Sequence, residues 1–454
     1  MIVANPLNTL NFFKISKFFV YIALFSVVLV STETLFPFIV TKYVFFRASV
    51  GLAFISFLLG WLFLGEKESK DFEREALGRL KSPLFIAVSL FVLIFIIAGV
   101  FGFNPSNSFW SNFERGEGGF QMVAFYVFFL LLSLLFKNKK DWQGLFIASI
   151  FSAVFMILYG LLSALGVTGF IGTSLDYIGQ RFQGSLGNSA YVGTYLLFSL
   201  FYVFYILGNG FAKLKNRPAK IILWVLVFLF LFIIWLTQTR GPFLGLGAGI
   251  AVFLFYLAIV GSRRIRVVSL SIFLMLVVLT GLLYTVRLSP VMNELGLARF
   301  FNITFDNIST QSRFWTWGAA IDGFKERPIL GWGPENFGRV FDKYFNTNHF
   351  IPNEASETWY DRAHNVFFDY LVETGLLGLV SYVGIFVIFY LQFFKYHKRS
   401  AVNDSKLSVG NALLFAMPVA YLVQGVVIFD VLPIYINLFV FLAFANFKFY
   451  ETLG

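Results

Sequence analysis

The sequence predicts an all-α, polytopic membrane protein of about 12 transmembrane helices, broken by one large, partly helical loop. Three observations carry that reading. Hydrophobic residues make up 58% of the 454 positions and charged ones 13%, with mean hydropathy +0.77, more apolar surface than a water-soluble domain can hide. Runs such as Phe18 to Val30, Val50 to Leu64, Leu84 to Val100 and Ile221 to Leu236 approach or reach the length that crosses a bilayer. They are continuous, not alternating, which excludes barrel strands, and backbone in lipid must then satisfy itself as helix.

Taken in order, the spans fall near 15–33, 40–64, 83–103, 119–136, 142–166, 188–208, 219–238, 242–260, 267–287, 364–394, 408–429 and 433–449. The net charge of +11 resembles a nucleic-acid signal, but its distribution rejects that partner. Basic residues gather in alternate short loops: Lys14 and Lys17; Lys67 to Lys81; Lys137 to Lys140; Lys213 to Lys220; Arg263 to Arg266; Lys395 to Lys406. The intervening loops hold Arg115, Arg181 and Arg240 singly. This bias predicts both termini in the cytoplasm and the 288–363 loop on the outer side of the cytoplasmic (inner) membrane. Lys14 and Lys17 precede an apolar run with no small-residue cleavage signal, so the first helix is expected to stay. Cysteine is absent, which excludes disulfides and thiolate-held metals.

Residues 288–363 are the one long polar stretch, and with their borders they hold Arg287, Arg299, Arg313, Arg327, Arg339, Arg362, His349 and His364. Ser309, Thr310 or Ser312 can cap a helix running through Phe314, Trp317 and Ile321 until Pro328 ends it. That places Arg313 in a first turn, beside free backbone N–H groups that favour anions. Pro334 suits the first position of a second helix, whose Phe337, Val340, Phe341, Tyr344 and Phe345 share one apolar face. Residues 346–361, with Glu354, Glu357 and Asp361, read as a flexible acidic lid.

Three segments carry chemistry. In Thr239-Arg240-Gly241-Pro242 the helix breaks and leaves Arg240 at the outer mouth, either snorkelling or clamping an anion. Arg313, in Ser312-Arg313-Phe314-Trp315, either cradles phosphate or stacks on Trp315 or Trp317. In Asp361-Arg362-Ala363-His364-Asn365, Asp361 can cap the next helix and place His364 in its first turn, where the positive helix end keeps imidazole neutral. Asp369 and Glu373 lie about 140° and 180° round that helix from His364, so they are poor partners for it. His349 is a weaker candidate, and His397 sits among cytoplasmic lysines. Arg47 either snorkels or faces a polar cavity. No carboxylate cluster suited to a divalent metal is evident.

Together these stretches resemble one family, the bacterial O-antigen ligases and O-antigen polymerases with related oligosaccharyltransferases. The matching pieces are Arg181-Phe182-Gln183-Gly184-Ser185-Leu186-Gly187-Asn188, Thr239-Arg240-Gly241-Pro242, Ser312-Arg313-Phe314-Trp315, Pro328-Ile329-Leu330-Gly331-Trp332-Gly333, and His364-Asn365 leading through Glu373-Thr374-Gly375 to Gly378. The resemblance divides the chain into N-terminal transmembrane helices (1–180), an O-antigen ligase-like region with its extracytoplasmic loop (181–395), and C-terminal helices (396–454). It implies a metal-independent, inverting glycosyltransferase without cofactor. The donor would be a glycan on undecaprenyl diphosphate, and the acceptor a hydroxyl borne by lipid, glycan or protein. Arg240 and Arg313, with Arg181 and Arg362 as further candidates, would hold the diphosphate, and His364 would act on the hydroxyl. Ligation, as in lipopolysaccharide and cell-envelope assembly, polymerisation and protein O-glycosylation remain alternatives, and so does a flippase for the same lipid-linked sugars. A flippase is expected to show repeated halves and helices interrupted near the midplane, whereas here the polar residues gather at one outer face with no symmetric counterpart.

Overall fold

The computed structural model describes residues 6–112, 114–172, 181–208, 216–301, 308–350, 357–403 and 409–453. Among the described residues ten helices are long and apolar enough to cross a membrane: α1 (Pro6–Leu24), α2 (Val40–Leu62), α4 (Pro83–Val100), α7 (Lys139–Ala164), α8 (Ser189–Leu207), α9 (Arg217–Leu236), α10 (Arg240–Val260), α11 (Arg263–Thr285), α16 (Val366–Asn403) and α18 (Leu432–Leu453). Two shorter apolar helices, α6 (Gly119–Leu135) and α17 (Val409–Gly425), complete the set. All twelve predicted spans are therefore helices of a multi-pass membrane protein. Their starts follow ordinary capping rules. Ser82 Oγ accepts from Phe85 N ahead of Pro83, and Asn188 Oδ1 accepts from Ala190 N at the start of α8.

The bundle is built around α18, 94% of whose apolar window is buried, and α8, at 78%. Aromatic rings from both, such as Phe201 and Tyr205 against Phe441 and Phe444, interlock there. By contrast α11 is buried over only 6% of its window, so its apolar side chains face outward toward lipid. One charged helix, α3 (Glu66–Leu80), lies where the sequence reading placed only a basic loop. Its i,i+4 pairs Glu66–Lys70 and Glu75–Arg79 support it.

The loop between α11 and α16 carries the helices α12 (Pro290–Glu294), α13 (Ala298–Phe301), α14 (Ile308–Glu326) and α15 (Phe337–Lys343), and α5 (Pro105–Trp110), from an earlier turn, is hydrogen-bonded to Glu335 and Asn336 just before α15. Three expectations are corrected. Helix α14 already begins at Ile308, so Arg313 sits in its second turn, and Ser312 turns inward to Tyr360 Oη instead of capping. Helix α15 begins at Phe337, because Pro334 belongs to a turn in which Glu335 takes φ 66°. The ends of the supposed lid are packed: Thr347–His349 is a 3-10 turn with His349 buried against Trp315 and Phe341, and Tyr360 is buried too. Glu354 lies outside the described residues.

Phe337, Val340 and Phe341 do form a buried face, packed with Ala320, Trp332 and Val372 into a small second core over α16. Helix α16 is broken at Gly375, whose φ is 66°. The strap 328–333 fills the break by hydrogen bonding: Trp332 N and Gly333 N donate to Val372 O and Glu373 O, while Leu376 N and Leu377 N donate to Pro328 O and Ile329 O. A Cβ at Gly375 would collide with the Ile329 carbonyl, and the left-handed backbone suits glycine alone.

Candidate active site

A polar cavity of about 460 Å³ opens at the end of the bundle that carries the loop. The amino ends of α8 and α10, the turn before α10, α13, α14 and the residues after α17 enclose it. Arg181, Arg240, Arg299, Arg313 and His364 all line it, and no carboxylate is among its described lining residues. Three of these basic residues, 51 to 124 positions apart in the chain, are Arg240, Arg313 and His364, which the sequence reading singled out. Arg181 joins them. Arg299 was counted among the loop arginines but not assigned to the site; its short helix α13 gave no signal beyond the arginine itself.

Each side chain is placed by local structure. Arg240 opens α10 after Thr239, and its Nε donates to Arg299 O at 2.9 Å, which ties α10 to α13. Arg313 is partly buried on α14, and Trp315 and Trp317 are engaged elsewhere, with His349 and Phe368. Burial holds the Arg313 guanidinium below its usual value, and Arg240 adds to that. Burial likewise lowers Arg181, and it pushes Arg299 to about 10, with Arg181 and Arg240 contributing. All remain charged near neutrality. Cations that are partly desolvated and repel one another gain when an anion enters between them.

His364 does not occupy a helix first turn as expected. Asn365 caps α16, its Oδ1 accepting from Phe367 N and Phe368 N, whereas Asp361 accepts from Arg115 Nε at 2.6 Å. His364 precedes the cap with φ 53°. Its Nδ1 lies 3.2 Å from Arg362 O, and a carbonyl only accepts, so Nδ1 carries the hydrogen and Nε2 presents a lone pair. Tyr360 and Phe429 meet the ring edge-on at 5.2 and 5.1 Å. Burial drives its pKa down to about 4, with Arg313 and Arg115 adding to the fall against the Arg362 carbonyl and Asp361. The neutral imidazole expected from the sequence is thus present, through desolvation and not through a helix end.

Arg362 is the residue the structure sets apart. Its guanidinium does not line the cavity; it is buried behind it, bonded to Glu335 and, at 2.8 Å, to Glu373, with Glu117 at 3.9 Å. Those carboxylates hold it well above its ordinary pKa against the pull of burial, and both of its terminal nitrogens are bonded to carboxylates that lie outside the cavity lining. His397 contacts Tyr256 through Nδ1 at 2.9 Å, and Arg47 donates to Gln121 Oε1 and Gly116 O. Among the described residues no group of three or more histidines and carboxylates is arranged to hold a metal ion.

Residues 225–383 match the family model described as O-antigen ligase. They contain Arg240, Arg299, Arg313 and His364, four of the cavity's five basic side chains. The chain is also similar to the teichuronic acid biosynthesis protein TuaE of Bacillus subtilis (strain 168), 22% identical over 316 residues. That alignment covers 67% of this chain and 60% of the relative's length. The matched stretch takes in most of α9, all of α10 and α11, the loop helices and the first half of α16. Arg181, the start of α8 and the residues Val427 to Phe429 after α17 lie outside it, so the cavity is completed by segments beyond the family match.

Proposed function

We propose that this chain is a glycosyltransferase that moves a glycan from an undecaprenyl diphosphate carrier to an acceptor hydroxyl on the outer side of the cytoplasmic membrane. The observation that carries this is the meeting of four arginines and one neutral histidine in a single cavity at one end of the bundle. The acceptor oxygen attacks the anomeric carbon while its proton passes to His364 Nε2. The carbon–oxygen bond to phosphate breaks, and the electron pair leaves on the diphosphate. Arg240 and Arg313, with Arg181 and Arg299 beside them, stabilise the charge that grows there more than the charge of the bound donor. Attack opposite the leaving group inverts the anomeric centre, and the guanidiniums take the role that a divalent cation fills in other phosphate chemistry.

An apolar cleft of about 300 Å³ supports a lipid-borne donor. It is lined by Leu197 and Phe204 of α8, Leu246 and Leu254 of α10, and Met417 and Ala420 of α17, the helices whose ends frame the polar cavity. On α10 it begins six residues past Arg240, about 9 Å further into the membrane. The alternating basic loops support cytoplasmic termini and an outward-facing cavity. A transporter would place its polar groups near the midplane and not gather them at one mouth.

The acceptor admits a second reading, polymerisation onto another carrier-linked repeat. It is supported by the name of the similar protein, which assigns that protein to teichuronic acid biosynthesis. The test is transfer in vitro from a purified lipid-diphosphate glycan, with lipid, glycan and peptide acceptors side by side and chelator present. Product is expected with wild type and not with His364→Ala. Equal transfer by both would remove the catalytic assignment.

A further inference from the structure

Backbone strain in this molecule gathers around one side chain. Among the described residues four non-glycine positions have positive φ: Ser111, Gln238, Glu335 and His364. Gln238 and His364 line the cavity, and Ser111 Oγ donates to Glu335 Oε2 at 2.6 Å directly behind it. Such conformations are costly for residues with a side chain and persist only where surrounding groups hold them.

Around His364 the holding groups can be named. Arg362 is bonded through one guanidinium nitrogen to Glu335 and through the other to Glu373. Glu373 Oε1 also accepts from Glu335 N at 3.0 Å, so the strained turn, the broken helix and Arg362 share one carboxylate. Ala363 N donates to Asp369 Oδ1 at 2.6 Å, and Ala363 O accepts from Trp317 Nε1 at 3.0 Å. The carbonyl of Arg362 is itself the partner of the His364 Nδ1 hydrogen. A shift of residue 362 therefore carries the anchor of the imidazole with it.

We propose that Arg362, clamped between Glu335 and Glu373, and Asp369, holding Ala363 N, form a positioning element that keeps His364 in its left-handed setting with Nε2 toward the cavity. The inference rests on His364 being the base of the transfer reaction. It gives Arg362 a role in catalysis without contact with the donor, in place of the diphosphate-binding role its residue type suggests. Misplacement of a reacting group by about 1 Å costs roughly 100-fold in rate, so small relaxation here is measurable.

The experiment uses full-length protein in lipid nanodiscs carrying Arg362→Lys, Glu373→Gln or Glu335→Gln. For each, kcat and KM for the donor, the affinity for undecaprenyl diphosphate as probe, and the pH dependence of kcat/KM are measured. The expected result is a fall in kcat of about 10–100-fold with donor KM and probe affinity nearly unchanged. The acid limb of the profile is expected to rise by about one pH unit or more, because a released ring gains water and returns toward an ordinary histidine. Arg115, Arg313, Asp361 and Tyr360, which face the imidazole, are intact in all three variants.

Unchanged kcat in folded protein overturns the proposal. So does a kcat loss with an unmoved acid limb, which marks general destabilisation, or a matching loss of probe affinity, which marks a donor contact. Should Arg362→Lys fail to fold, the two glutamine variants, which keep side-chain size, decide the matter by the same readouts. Full activity in His364→Ala would instead remove the reading of the base itself, whatever the three variants do.

Discussion

Lowering the pH from 7 to 5 is expected to leave glycan transfer nearly intact, because His364 stays neutral over that range. Its pKa is driven to about 4 chiefly by burial, with the Arg362 carbonyl opposing and Arg313 reinforcing the shift. A base must be unprotonated to accept, so activity falls as the pH drops through that value and not before. An imidazole of pKa 4 is about 90% neutral at pH 5, whereas an ordinary one at 6.5 is about 3% neutral, a roughly thirtyfold difference in competent enzyme. The assay is kcat/KM for the lipid-diphosphate glycan between pH 4 and 8, with thermal unfolding recorded at each pH to exclude loss of fold. An acid limb between pH 6 and 7 would refute the desolvated base. A limb near 4 that survives in His364→Ala would assign it to another group.

Three further outcomes follow from the geometry. Arg240→Ala and Arg313→Ala should each slow transfer by about 10–100-fold, since a charge-assisted bond to phosphate is worth roughly 1.5–3 kcal/mol; wild-type rates in steady-state assays would dismiss their role. Arg115→Leu leaves the largely buried Asp361 carboxylate without its hydrogen-bonded partner, and should lower stability by about 3–5 kcal/mol on denaturant unfolding. No change there would mean that Asp361 finds water. Gly375→Ala forces a side chain into left-handed backbone against the strap, so both the unfolding temperature and transfer should fall; a variant with wild-type values in both would contradict the broken-helix geometry.

Much of the fold was legible because lipid imposes a one-dimensional rule: a continuous apolar run must become a helix, whatever it packs against. That is why twelve spans could be placed from sequence, and why α3 was missed, its only signals being a glycine start and spaced opposite charges. The site was legible by residue type more than by geometry. Arg240, Arg313 and His364 stood out as costly charges and a rare histidine beside spans. Their local settings did not, because the inward turn of Ser312 and the groups that hold residues 362–364 involve distant contacts with Tyr360, Glu335 and Glu373. Arg362 shows the limit most clearly. Nothing near it in sequence reveals that its partners come from a turn 27 residues earlier and from within the next helix.

The interlock between the 328–333 strap and the break at Gly375 also constrains how this protein can be re-engineered. Each segment completes the backbone bonding of the other, so neither is an independent module. Grafting a loop from a relative to alter acceptor choice calls for residues 328–335 and 372–377 to be exchanged together, with the seam placed further out in α14 and below the kink in α16.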